Sequence, residues 1–216
     1  MDTIEIEEYH KKIKKWGNQN CRDFPWRRTN EPYKVLLAEI MLHRTQAMQV
    51  AKIYERFIGE YPDIKTLAKA NKFELHKALF TLGLKWRTNL IKDMAETLVN
   101  KYESEIPKDK SELLSLPGIS DYIASSVRCF AWNMAEPLRD TNTVRVIGRI
   151  YNLEIKDSSR RNNKFKELIA ELVDPIEPRA YNFALLDLAD QVCTRKEEPK
   201  CNKCPINNLC LYNIER

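Results

Sequence analysis

Ser111-Glu112-Leu113-Leu114-Ser115-Leu116-Pro117-Gly118-Ile119-Ser120-Asp121-Tyr122-Ile123-Ala124-Ser125-Ser126-Val127 is the stretch on which the reading of this chain turns. Leu113, Leu114 and Leu116 precede the Pro117-Gly118 break and Ile123, Ala124 and Val127 follow it, so one helix ends and another begins at once. A hairpin of this kind aims successive backbone N–H groups and a helix N-terminus at one spot, which suits a phosphate and ignores base sequence. Taken bare, Pro-Gly between helices is also an ordinary turn.

Outward from the hairpin the chain keeps the same period. Leu36, Leu37, Ile40 and Met41 share a helical face, as do Val50, Ile53, Phe57 and Tyr61, and Leu90, Met94 and Leu98. Phe165, Leu168, Ile169, Leu172 and Val173 form a further stripe, and Tyr181, Leu185, Leu188 and Val192 another. Asn30 to Pro32, Pro62, Gly83, Pro107, Pro137, Pro175 and Pro178 punctuate them, and strand alternation does not appear. The expectation is an all-α protein of eight or more helices.

Composition agrees. The 216 residues are 43% hydrophobic and 31% charged, a globular balance that excludes a disordered tail or a collagen-like chain. No apolar run approaches the roughly 18 residues that a membrane span needs. Asp2, Glu5, Glu7 and Glu8 make the start unlike a signal peptide, so a soluble, cytoplasmic protein with no membrane partner is expected. Residues 1–110 hold 21 basic and 16 acidic groups and residues 111–216 hold 15 of each, which puts the whole net +5 in the first half. That leans toward a polyanionic partner, although runs such as Lys11, Lys12, Lys14 and Lys15 are often only a solvated helix face.

Two further constellations carry chemistry. Cys193, Cys201, Cys204 and Cys210 form a C-x7-C-x2-C-x5-C pattern, four of the six cysteines within 18 residues. In a chain without export signals a metal is a better reading than disulfides, and spacing alone does not separate zinc from iron–sulfur. Cys21 and Cys129 read as buried small apolar residues. Arg139-Asp140-Thr141-Asn142-Thr143-Val144 opens a helix running to Tyr151; with Asn142 or Thr141 as cap, Asp140 lies just before a positive helix end that keeps its carboxylate ionised. Alternatively Asp140 is itself only a cap.

Taken in order, these motifs resemble the endonuclease III and MutY superfamily of helix-hairpin-helix DNA glycosylases, and most of the chain is covered. Leu116-Pro117-Gly118-Ile119-Ser120-Asp121-Tyr122 is similar to the family's L-P-G-V-G-x-[K/Y/S] hairpin, Asp140-Thr141-Asn142 to its catalytic V-D-T-N loop, and the cysteines to its C-x6-C-x2-C-x5-C iron–sulfur loop. Phe24-Pro25-Trp26-Arg27 and Pro32 to Leu42 resemble the opening of the MutY and thymine-DNA mismatch glycosylase (MIG) branch. Two departures stand out: seven residues separate Cys193 from Cys201 where six are usual, and Ser120 replaces a glycine. If Ser120 needs a positive φ, serine costs on the order of 1 kcal/mol there.

The resemblance implies two helical lobes: an N-terminal helix (1–25) packing with 133–216, which holds the catalytic loop and a [4Fe-4S] loop (193–210), and a six-helix barrel (26–132) with the hairpin (111–128). The nucleotide would be flipped into a cleft where Tyr122 and Asp140 face each other. Asp140 would stabilise positive charge developing at C1′, and Tyr122 stands where strand-cleaving members carry the lysine that forms a Schiff base, so a monofunctional enzyme is expected. Glu39 would act on the base, as proton donor to adenine or acceptor for thymine N3–H; otherwise it is an exposed helix carboxylate.

DNA binding would fall to Arg44, Thr45 and Leu84 and to the hairpin residues Leu116, Pro117, Gly118, Ile119 and Ser120, with Cys193, Cys201, Cys204 and Cys210 as cluster ligands. Leu84 occupies the wedge place, and Leu42-His43-Arg44-Thr45 is closer to the L-R-R-T of MIG than to the L-Q-Q-T of MutY. The chain stops six residues after Cys210, without the 8-oxoguanine-reading domain of MutY. The expected partner is therefore duplex DNA with thymine or uracil opposite guanine, bound by a monomer. A short MutY-like adenine glycosylase and a non-catalytic iron–sulfur DNA-binding protein are the alternatives.

Overall fold

The computed structural model describes residues 3–83, 85–196 and 198–215, and among them every regular element is helical. The chain divides into two units, Met1–Arg22 with Asn133–Arg216, and Asp23–Trp132.

The second unit contains α2 (Pro32–Leu42), α3 (Ala47–Glu60), α4 (Ile64–Lys69), α5 (Lys72–Leu79), α6 (Lys85–Lys101), α7 (Lys110–Ser115) and α8 (Asp121–Trp132). Its helices begin where the sequence supplies caps. The Glu31 carboxylate accepts from Tyr33 N and Lys34 N with Pro32 at the first turn; Asp63 caps α4, Asn71 α5 and Asp109 α7. Helix α2 is apolar on nearly all sides and is buried, packing on α3 and α8, while α4 and α5 pack on α6. Leu36, Leu37, Met41, Phe57, Leu67, Leu75, Met94 and Val127 are buried in this unit, so the apolar stripes read from the sequence mark its core.

The other unit joins α1 (Thr3–Asn20) to α9 (Thr141–Ile150), α10 (Asn163–Glu171), α11 (Pro178–Gln191) and α12 (Leu211–Ile214). Helix α1 lies on α11, close enough that a Cβ on Gly17 would come within 2.5 Å of Ala184 Cβ. Tyr9 and Tyr181, both buried, share a 2.9 Å hydroxyl bond, His10 bonds Leu172 O at 2.9 Å, and Arg22 pairs with the fully buried Asp187 at 2.6 Å. His10 is thus a packing residue. Helix α9 is the hub, touching α10, α11 and α12, with Val144, Val146, Ile147 and Ile150 in the core. Cys129 is buried but Cys21, which follows the last residue of α1, is exposed, against expectation.

Candidate functional site

In the hairpin, Leu116 N bonds Leu113 O to end α7, Ile119 N bonds Leu116 O, and Ser120 stands ahead of α8, accepting from Ile123 N on its hydroxyl (3.3 Å) and from Ala124 N on its carbonyl (2.9 Å). The left-handed residue is Gly118 (φ 80°), and a Cβ there would meet the Leu90 side chain at 3.1 Å. Ser120 is not left-handed, so the condition under which serine would cost stability does not arise, and serine serves as a capping group. Lys110 Nζ ties the two helices, bonding Ser125 Oγ at 2.8 Å and Asp121 at 3.3 Å. Leu116 and Ile119 are buried, which leaves their backbone, not their side chains, for any ligand. Tyr122, in the first turn of α8, is half-buried.

Glu39 lies on α2 with 5% exposure, which overturns its alternative as an exposed carboxylate: α2 is the buried helix of its unit, so its polar positions face protein as well. After α2, His43 closes the helix, Arg44 is exposed with φ 62°, and Thr45 N bonds Leu42 O. A non-glycine residue in this region costs about 1 kcal/mol or more unless its surroundings hold it there. Arg87 of α6 is 3% exposed and donates from Nη1 to Met41 O (2.8 Å) and Thr45 Oγ1 (3.2 Å). Burial, followed by the nearby Arg44 charge, lowers its pKa to about 10. His43 is shifted down as well, first by burial, then by Arg87 and Arg44, which favours the neutral ring. Leu84 lies outside the described residues.

In the other unit Asp140 is itself the N-cap of α9, not Asn142 or Thr141. Its Oδ1 accepts from Asn142 N (2.9 Å) and Thr143 N (2.7 Å), and its Oδ2 from Asn142 Nδ2 (2.8 Å). A short side chain just ahead of the helix reaches the free amides two and three residues on, and Asp140 has that place. The Asn142 side chain then accepts from Arg145 Nη2 (3.1 Å), whose guanidinium also donates to Cys193 O (2.8 Å) and Ala189 O (2.9 Å). Arg195 Nη2 reaches Thr141 Oγ1 at 3.0 Å. The carboxylate is thus a few bonds from the cysteine loop.

Cys193, Cys201, Cys204 and Cys210 line one pocket with Arg149, Val192, Pro199 and Tyr212. The seven-residue gap does not scatter the ligands, since Lys200 N bonds Val192 O at 3.0 Å and pinches the loop shut. Arg149 Nη1 lies 3.3 Å from Cys193 Sγ and 2.7 Å from Thr194 O, with its guanidinium over the Tyr212 ring. Burial, with the other three thiols adding to it, pushes the Cys204 thiol up to about 12, and Cys210 moves the same way. Among the described residues no group of three or more His, Cys, Asp or Glu side chains is set to hold a single metal ion.

Sequence reasoning gave no role to Arg87, Arg145 or Arg149. A signal existed for the last two: at positions 145 and 149 they are one turn apart and, with Asn142, share one face of α9.

Comparison with known proteins agrees with the motif order. Residues 37–171 match the family described as HhH-GPD superfamily base excision DNA repair protein. A thymine/uracil-DNA glycosylase of Pyrobaculum aerophilum is 37% identical over 99% of this chain and 95% of its own length. A thymine-DNA glycosylase of Aeropyrum pernix is 33% identical over 98% and 97%. The solved structure of a thermostable thymine-DNA glycosylase superposes with a TM-score of 0.91 at 32% identity, covering 98% of this chain and 97% of that one. A hairpin with its left-handed glycine, an aspartate capping the helix that follows, and a four-cysteine loop hung from that helix therefore occur here in a member of the HhH-GPD superfamily of base excision DNA repair proteins, to which this chain belongs.

Proposed function

We propose that this protein is a monofunctional DNA glycosylase that removes thymine or uracil opposite guanine and leaves an abasic site. The observation that carries the chemistry is Asp140 at the N-terminus of α9, where two backbone amides and the Asn142 side chain fix the carboxylate. As the bond from C1′ to the base nitrogen breaks, positive charge grows on the sugar, and a fixed ionised carboxylate lowers the energy of that state. Water adds at C1′ and its proton passes to Asp140; the base leaves with the bonding pair. Tyr122 has no amine, so the chain proceeds through no Schiff base at that position. Buried Glu39 accepts from N3–H of the flipped thymine or uracil. The choice of base is supported by the names of the relatives and by Arg44 in Leu42-His43-Arg44-Thr45, which resembles the L-R-R-T of MIG. Arg44 faces the orphan guanine, whose O6 and N7 acceptors an arginine reads. The hairpin amides around Gly118 hold the phosphate backbone of the duplex, bound by a monomer.

The cofactor of this reading is a [4Fe-4S] cluster on Cys193, Cys201, Cys204 and Cys210. Four thiols lining one pocket, with Arg149 Nη1 3.3 Å from Cys193 Sγ, are a fitting donor set. When bound, it supplies iron–thiolate bonds that close the loop. Anaerobically purified protein should be yellow-brown, absorbing near about 400 nm, whereas a colourless zinc protein overturns this assignment.

The deciding experiment incubates matched duplexes carrying G:T, G:U, G:A and 8-oxoguanine:A, then cleaves abasic sites with hot alkali. Breaks at thymine and uracil opposite guanine are expected. Faster loss of adenine makes this a short adenine glycosylase, and no break in any duplex makes it a non-catalytic binder. Borohydride should trap no covalent adduct.

A further inference from the structure

The connection between α2 and α3 has a backbone that its own residues do not account for. Arg44 is left-handed without being glycine, Gln46 opens α3 with no side-chain cap, and no glycine closes α2. Two bonds brace it from α6, both from Arg87 Nη1, one to Met41 O and one to Thr45 Oγ1, on either side of His43 and Arg44. Arg87 falls in step with the buried Ile91, Met94 and Leu98 of α6, where an apolar residue would avoid burying a cation. Burial, then the nearby Arg44 charge, also disfavours the charge of Arg87, and burial, then Arg87 and Arg44, that of His43. The two bonds give this buried cation a geometric task, since they set where Met41 O and Thr45 Oγ1 lie.

We propose that Arg87 is the positioning residue of the loop that reads the orphan base. By holding Met41 O and Thr45 Oγ1 it fixes the left-handed backbone of Arg44, and with it the direction in which that guanidinium leaves the loop. This rests on the reading of Arg44 given above. Arg87 itself touches no DNA, so its loss changes discrimination between opposite bases more than it changes the chemistry.

The test compares wild type, Arg87→Met, Arg87→Lys, Arg44→Ala and the Arg44→Ala/Arg87→Met double variant in single-turnover excision of uracil opposite guanine and opposite adenine. Arg87→Met should narrow the G:U over A:U rate ratio by about tenfold, in the direction of Arg44→Ala. The double variant should narrow it no further than Arg44→Ala alone, and Arg87→Lys should recover part of the loss. Equal slowing on both substrates, or losses that multiply in the double variant, overturns the proposal. If Arg44→Ala leaves the ratio intact, the reading of Arg44 fails and takes this proposal with it; if Arg44→Ala collapses the ratio and Arg87→Met does not, this proposal alone fails. Should Arg87→Met not fold, Thr45→Val removes one of the two acceptors and should narrow the ratio by about threefold, an unchanged ratio overturning the proposal.

Discussion

The Asp140 loop and the Arg44 loop each carry a residue proposed to act on DNA, and they are built in opposite ways. Asp140 has an extended backbone that any residue adopts, and its carboxylate accepts three hydrogen bonds within two to three residues. Asn142 and Arg145 extend the bracing to Cys193 and Ala189. Arg44 has the reverse: a left-handed backbone, an exposed side chain and a brace from one buried arginine on α6, with α3, α4 and α5 between them in sequence. A charge that must meet a transition state gains from redundancy, because misplacement by a fraction of an ångström forfeits much of its effect. A side chain that compares opposite bases needs reach, and a single brace leaves the rest of its motion free.

The contrast is open to attack at four points. Asp140→Asn keeps an acceptor for both amides, so stability should stay within about 1 kcal/mol while single-turnover excision falls by about a thousandfold or more. Activity within tenfold of wild type would remove Asp140 from the chemistry. Arg145→Met strips the donor from Asn142, Cys193 and Ala189 together and should cost about 3 kcal/mol in denaturant melts, with excision slowed as well. Undiminished excision in the folded fraction would show that Asp140 does not need this brace.

Arg44→Gly tests the other loop. Relief of the left-handed strain should stabilise the protein by about 0.5–1 kcal/mol, with weaker discrimination of the opposite base; a loss of stability would mean that the loop is held by the Arg44 side chain. The smallest effect concerns pH. Because His43 is shifted below its ordinary value by burial and then by Arg87 and Arg44, the unfolded chain takes up this proton before the folded one. Its contribution is therefore present above the unfolded pKa of 6.5 and lost as pH falls from there through the lower folded value. His43→Gln should flatten the acid side of the stability curve, and an unchanged slope would place the ring in water.

How much of this was legible in the sequence depends on the range of the interaction. The stripes of α2, α3, α6, α10 and α11 were readable because helical period is local, and the cysteine set because ligand spacing is covalent. Asp140 was readable as either cap or catalytic group, and the fold makes it a cap without removing it from candidacy. The cost of Ser120 was left conditional because a family glycine does not reveal which hairpin residue has the positive φ; that residue is Gly118. Arg87 was illegible for a stronger reason: its acceptors, Met41 O and Thr45 Oγ1, lie 46 and 42 residues away, and a carbonyl has no letter of its own in a sequence.

The bond between Tyr9 and Tyr181 joins residues 172 positions apart. During synthesis α1 leaves the ribosome first, yet the surface that covers Tyr9 and Ile13 exists only once α11 has followed. The intervening unit, Asp23–Trp132, is complete well before that moment and can collapse alone, since closing so long a loop in an unfolded chain is entropically costly. A nascent chain stalled near residue 132 should then hold one protease-resistant body and an amphipathic helix with no surface to lie on, a species suited to capture by a chaperone. The cysteine loop, bonded from Arg145 and Arg149 of α9 and pinched onto Val192 after α11, can be sealed only once both helices have formed.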